Sequence, residues 1–104
     1  MLVLTTDAVP GREIAEPLGL VRGSSVRTKH VGVDIMAGLR TLVGGELKSY
    51  SSLMAGAREQ AIDRMIEDAA RLGADAIVAA RLETAQIMAG ASEVVAYGTA
   101  VRLR

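Results

Sequence analysis

The sequence predicts an α+β fold: a small antiparallel sheet packed on one long helix, with a short helix before it. Three observations carry this. Between about Lys48 and Leu72 the apolar residues Leu53, Met54, Ala57, Ala61, Ile62, Met65, Ile66 and Ala69 recur at helical spacing. Residues 75–84 and 92–103 read as two strands joined across Met88-Ala89-Gly90-Ala91. Residues 13–26 are strand-like but broken by Pro17, Gly19 and Gly23. A chain of 104 residues is expected to form one domain, residues 1–104.

The elements follow in order. Leu2 to Thr5 reads as a short strand. Val9-Pro10-Gly11-Arg12 reads as a turn, with Pro fixing one backbone angle and Gly relieving the next. Pro17, Gly19 and Gly23 mark the next strand as an edge, a bulge or a bend. Asp34 is placed as an N-cap. Behind it Ile35, Met36, Leu39, Leu42 and Val43 share one helical face. Gly44-Gly45 is expected to end that short helix and turn the chain. The long helix then carries Glu59, Asp63, Glu67 and Arg71 on its polar side, with Glu67 and Arg71 in the favourable acid-before-base order. Gly73 follows Leu72 as a terminating glycine. In the last strand Val95, Tyr97, Thr99 and Val101 form one alternating set, and Val94, Ala96, Gly98 and Ala100 the other. Both sets are largely apolar, so both faces are expected to be covered. One helix covers one face; a neighbouring subunit is the simplest cover for the other.

Composition narrows the function classes. Twelve basic and twelve acidic side chains cancel, and the pI is about 6.6. This offers no basic footprint for nucleic acid. Half of the residues are hydrophobic and mean hydropathy is +0.30, with no Phe and no Trp. The apolar residues are small or flexible, which suits close backbone approach and burial against copies of the chain. No apolar run approaches the roughly 20 residues of a membrane helix. The N-terminus lacks the basic and apolar regions of a signal peptide. The expected location is the cytoplasm. The absence of Cys removes disulfides, thiolate metal sites and Cys nucleophiles together.

Three blocks carry a resemblance: Leu42-Val43-Gly44-Gly45-Glu46 with Ser49-Tyr50-Ser51 and Ala57-Arg58-Glu59-Gln60-Ala61; then Leu72-Gly73-Ala74-Asp75-Ala76-Ile77-Val78; then Tyr97-Gly98-Thr99-Ala100-Val101. In this order they resemble the YbjQ-like family over nearly the whole chain. Gly11, Gly19 and Gly23 fit it as well. The family is catalogued as heavy-metal-binding and has no established function. The resemblance implies an α+β fold and a homopentameric ring with extra strands at subunit contacts. The number five comes from the resemblance alone.

Candidate sites are few. His30 is the only histidine, and with Asp34 it forms His-x-x-x-Asp, two ligands one helical turn apart. A transition-metal ion needs three or four ligands, which His30 and Asp34 could supply only if copies met at a symmetry axis. Asp34, Glu46 and Glu83 could offer oxygen ligands. Gly44-Gly45 could form an anion nest, although no Walker-type Lys-Ser/Thr follows and a helix-to-helix turn accounts for it. Glu46, near the positive end of the long helix, with Tyr50 and Arg58 beyond it, is the candidate small-ligand site. The structural alternative makes Tyr50 an interface aromatic and Arg58 half of an ion pair. Met36, Met54, Met65 and Met88 fit apolar faces rather than a copper box. Nothing forms a nucleophile with its base.

The sequence therefore points to a small self-associating binding or scaffold module without catalytic chemistry, with no nucleic-acid or membrane partner. The alternative is a metal-binding protein. A third reading is an enzyme whose site lies between subunits. Any cofactor is unknown, a metal ion being the one the family suggests.

Overall fold

The computed structural model describes residues 1–28 and 43–104, and side chains for all of these except 43–50. Among the described residues there are four strands and one helix: β1 (Leu2–Val3), β2 (Ile14–Thr28), α1 (Val43–Arg71), β3 (Ala76–Met88) and β4 (Ala91–Leu103). The sheet order is β1-β3-β4-β2. The α+β class is as expected. The sheet, however, is mixed rather than purely antiparallel: β1 runs parallel to β3, with Leu2 opposite Ala76. The sequence signals for pairing were local, the β3–β4 hairpin above all. A parallel partner is reached through a long crossover and leaves no local signal.

The 29-residue helix is about 43 Å long at 1.5 Å per residue. The strands beside it have 13 to 15 residues. The fold is accordingly elongated, 56 × 21 × 16 Å, with a radius of gyration of 17.4 Å. A compact chain of this length would give about 13 Å.

Helix α1 begins at Val43 and runs through Gly44-Gly45, so that pair is not the helix-to-helix turn expected of it. Each glycine costs about 1 kcal/mol relative to Ala, but cooperative extension of a long, packed helix overrides that local preference. The C-terminus is as read. Gly73 has φ +75°. Its N–H donates to Ala70 O at 3.0 Å, and Ala74 N–H donates to Ala69 O at 3.2 Å. This paired termination satisfies the last carbonyls of the helix. Arg71 pairs with Asp68 at 3.2 Å rather than with Glu67.

The core is built from small residues. Ala57, Ala61, Met65 and Ala69 of α1 face Val21 of β2, Ile77 and Ala80 of β3, and Val94, Ala96 and Ala100 of β4. Helix and sheet meet closely at Gly23. A Cβ there would run into Met65 N and Ala61 O, and would lie 2.7 Å from Arg64 C. Ser25, also buried, donates to Gln60 Oε1 at 2.7 Å, and Arg27 Nη2 donates to the same oxygen at 3.0 Å. A buried polar pair needs such a partner. Arg27 Nε is buried without a hydrogen-bond partner among the described residues.

Strand β2 is an edge strand. Its pairing with β4 shifts between Ile14 and Glu16 and again between Pro17 and Gly19, where the sequence suggested an edge or a bulge. The β3–β4 register shifts between Val78 and Arg81. Ala79 adopts φ +54° in this bulge and donates to Thr6 O at 2.7 Å. Gly98 makes room for it: a Cβ there would lie 2.7 Å from Ile77 Cγ2 and 3.2 Å from Ala80 Cα.

The described residues cover the second face of the sheet over only part of its length. Ala76, Val78 and Val101 pack under Val9, with Leu4, Ile14 and Leu103 around them. The turn at Val9–Arg12 is present, closed by Arg12 N–H to Val9 O at 3.0 Å. Thus the chain's own N-terminal segment covers one end of β4, where a neighbour was expected. Beyond it every residue of β3 from Arg81 to Met88 is exposed. The short helix expected before Gly44 lies outside the described residues, apart from Val43, which opens α1.

Candidate functional site

Beyond the Val9 cover, side chains line up in rungs across three strands. Arg22 of β2 and Arg81 of β3 are both directly opposite Tyr97 of β4. The next rung is Ser24, Val95 and Glu83, and the third is Val26, Glu93 and Ala85. Directly opposed residues share a sheet face, so these form one surface.

Tyr97 is the aromatic centre of that surface. Its hydroxyl donates to Glu83 Oε1 at 3.1 Å. This hydrogen bond, with lesser contributions from burial and the charge of Glu83, raises the phenol's pKa above its ordinary value, against a smaller opposing effect of Arg81. A tyrosine acting as a base or nucleophile needs the opposite shift. Arg81 is committed to structure: Nη1 donates to Thr5 O at 2.9 Å and to Ala80 O at 2.8 Å, tying β3 to the N-terminal segment. A shallow hollow of about 310 Å³ lies among Glu83, Thr84, Glu93, Val95 and Tyr97.

A larger polar groove, about 690 Å³, runs between β2 and α1. Arg64, Glu67, Asp68 and Arg71 of α1 line it together with Arg22 of β2 and Glu93 of β4. Arg64 Nη1 donates to Ser24 O at 2.6 Å, and Asp68 accepts the backbone N–H of Arg22 at 3.2 Å. Its charges balance, so neither an anion nor a cation is singled out. A third concavity, about 270 Å³, is apolar: Val3, Ile62, Met65, Leu82 and Ala96 line it between α1 and the β1–β3 edge.

The small-ligand candidates Glu46, Tyr50 and Arg58 all fall on α1. Glu46 and Tyr50 lie one turn apart near its start, in the part without described side chains. Arg58 is exposed two turns later, about 12 Å along the axis from Tyr50. His30 and Asp34 lie outside the described residues. Glu83, weighed as an oxygen ligand, instead accepts from Tyr97. The rung around Tyr97 was missed. Its signal was available: Arg22, Arg81, Glu83 and Glu93 interrupt apolar strands with the parity of Tyr97, whereas a buried strand face carries no charge.

Comparison with known proteins places the chain. A family model described as "putative heavy-metal-binding" matches residues 1–104. The chain belongs to the YbjQ-like family. A UPF0145 protein of Methanosarcina acetivorans is 54% identical over 103 residues, 99% of this chain and 97% of the relative. One from Archaeoglobus fulgidus is 56% identical over 104 residues, covering 100% and 96%. One from Thermus thermophilus is 56% identical over 103 residues, covering 99% and 90%. Among solved structures, a protein of unknown function from Pediococcus pentosaceus, assigned to the DUF74 family, superposes with a TM-score of 0.63 at 18% identity. That match covers 100% of this chain and 98% of the other, and it shows a shared fold.

The metal description of the family was tested against the residues. Among the described residues no group of three or more His, Cys, Asp or Glu side chains is placed to hold a metal ion. The sequence has no Cys and one His, so a soft-metal site would need His30 from several copies. The described residues therefore do not fit a metal centre within one chain. No helix among them is long and apolar enough to cross a membrane.

Proposed function

We propose that this protein is a homo-oligomeric binding or scaffold module of the cytoplasm, its copies joining through the half of the sheet that no described residue covers. The observation that carries this reading is β3 from Arg81 to Met88. It is exposed at every residue, and β1 pairs only with its first two residues, Ala76 and Ile77. At the opposite side of the same sheet β2 is a second, long edge. Unpaired edges of this length are sites of strand addition. Joining two different edges is a heterologous contact, which closes into a ring when the rotation permits. Five copies is the number that the family resemblance suggests.

Glu46, Tyr50 and Arg58 remain our candidates for a small ligand in such an assembly, and His30 with Asp34 for a metal. The family description supports the second; the donor set described above weighs against it. Native mass spectrometry of protein prepared without a His tag tests all three. The expected species has five times the 10.9 kDa chain mass. A monomer at micromolar concentration overturns the oligomer reading. Stoichiometric metal moves the protein to the metal-binding class. A retained organic molecule that Arg58→Ala abolishes, with assembly intact, assigns the ligand site.

A further inference from the structure

We infer that Arg64 and Asp68 of α1 form a latch over the outer edge of β2, which shuts that edge to an added strand at Arg22–Ser24 until the latch is displaced. Asp68 Oδ2 accepts the backbone N–H of Arg22 at 3.2 Å, and Arg64 Nη1 donates to Ser24 O at 2.6 Å. These are main-chain groups of an edge strand, the groups an added strand would use. Arg22 and Ser24 are two residues apart, so their main-chain groups point to the same side of β2.

The fit between helix and edge follows from elementary geometry. Two strand residues span about 6.6 Å, and one helical turn from residue 64 to 68 spans about 6 Å. Gly23, between the two bonded strand residues, lets α1 come so close that a Cβ there would run into Met65 N and Ala61 O. The polarity is also matched. A carboxylate only accepts and meets the N–H; a guanidinium only donates and meets the carbonyl. Arg71 Nη2 holds the other carboxylate oxygen, Asp68 Oδ1, at 3.2 Å, which leaves Oδ2 for the edge. Arg64 is exposed and Asp68 half-buried, so both bonds compete with water and yield to a strand that offers a continuous ladder. The latch acts within a single chain and goes beyond the oligomer reading above. In that reading it gates one of the two joining edges.

Two measurements test it. In Asp68→Ala the Arg22 amide should exchange its hydrogen about fivefold faster, the factor expected for one modest hydrogen bond. The Ser24 amide on the same edge serves as reference, and the denaturant midpoint should not move. Unchanged Arg22 exchange overturns the latch. In Arg64→Ala/Asp68→Ala the concentration for half-association, read by light scattering in a dilution series, should fall at least about fivefold below that of the parent. An unchanged midpoint overturns the latch. So does a weakened assembly, which would mean that these side chains hold copies together. A parent that stays monomeric throughout overturns the oligomer reading alone, because the exchange measurement still decides the latch.

Discussion

The two halves of this sheet are built differently. At one end Ala76, Ile77 and Val78 are buried, with α1 on one side and Val9 on the other. At the other end the same strand, from Arg81 to Met88, is exposed throughout. The boundary is the Ala79 bulge, where the N-terminal segment stops following β3. Strand β4 runs through both halves and stays buried on its helix-facing side, at Val94, Ala96 and Ala100. The contrast separates two tasks. The covered half holds the chain together; the open half displays a patterned surface that nothing within the described chain covers.

The largest effect is expected in the helix–sheet contact. Gly23→Val drives a side chain into the backbone of α1 at Ala61 and Met65, which cannot swing aside as a flexible side chain could. Overpacking typically costs about 1–3 kcal/mol, and contact with backbone puts this variant at or above the top of that range. Gly98→Val should follow, since its nearest obstacle is the Ile77 methyl. Denaturant midpoints of both variants check the order. A Gly23→Val protein as stable as its parent would show that the helix is not seated as described.

Met65→Ala is expected to cost a comparable amount. Met65 is the largest fully buried side chain among the described residues and belongs to the core-facing side of α1. Its truncation should cost about 2–5 kcal/mol. The matching truncation in the open half, Met88→Ala, should leave the stability of a dissociated chain within about 0.5 kcal/mol. Urea unfolding of dilute protein measures both. Equal losses would erase the distinction between the halves.

How much of this was legible depended on the range of the signal. The helix, its Gly73 stop and the β3–β4 hairpin are written in residues a few positions apart, and they appear as expected. Pro17 and Gly19 marked an edge strand because each carries its own backbone constraint. The parallel pairing of β1 and the cover provided by Val9 join residues about 70 to 90 positions apart, Leu2 with Ala76 and Val9 with Val101. No periodicity encodes them. Gly44-Gly45 misled because a pair of strong helix breakers is only a preference, set against a 29-residue packed helix. The Glu46, Tyr50 and Arg58 site was chosen from one helix. The Tyr97 rung needs three strands in register, which a reading along the chain does not assemble.

The smallest expected effect lies on that rung. Tyr97→Phe removes the hydroxyl that donates to Glu83 and leaves the ring between Arg22 and Arg81. An exposed hydrogen bond to a carboxylate contributes little after its competition with water. The sign with pH is fixed. The folded-state pKa of Tyr97 is raised, so its contribution is fully present below the ordinary tyrosine pKa of about 10 and disappears as pH rises through the folded value. Parent and Tyr97→Phe should therefore differ slightly in melting temperature near neutrality and converge in strong alkali. Absorbance titration of the phenol reads the same shift directly, using Tyr97→Phe to separate it from Tyr50. A Tyr97 that ionises below pH 10 would mean that Arg22 and Arg81 outweigh Glu83. The open face would then carry a net positive potential set by Arg22 and Arg81, rather than being a neutral hydrogen-bonded patch suited to meeting another protein surface.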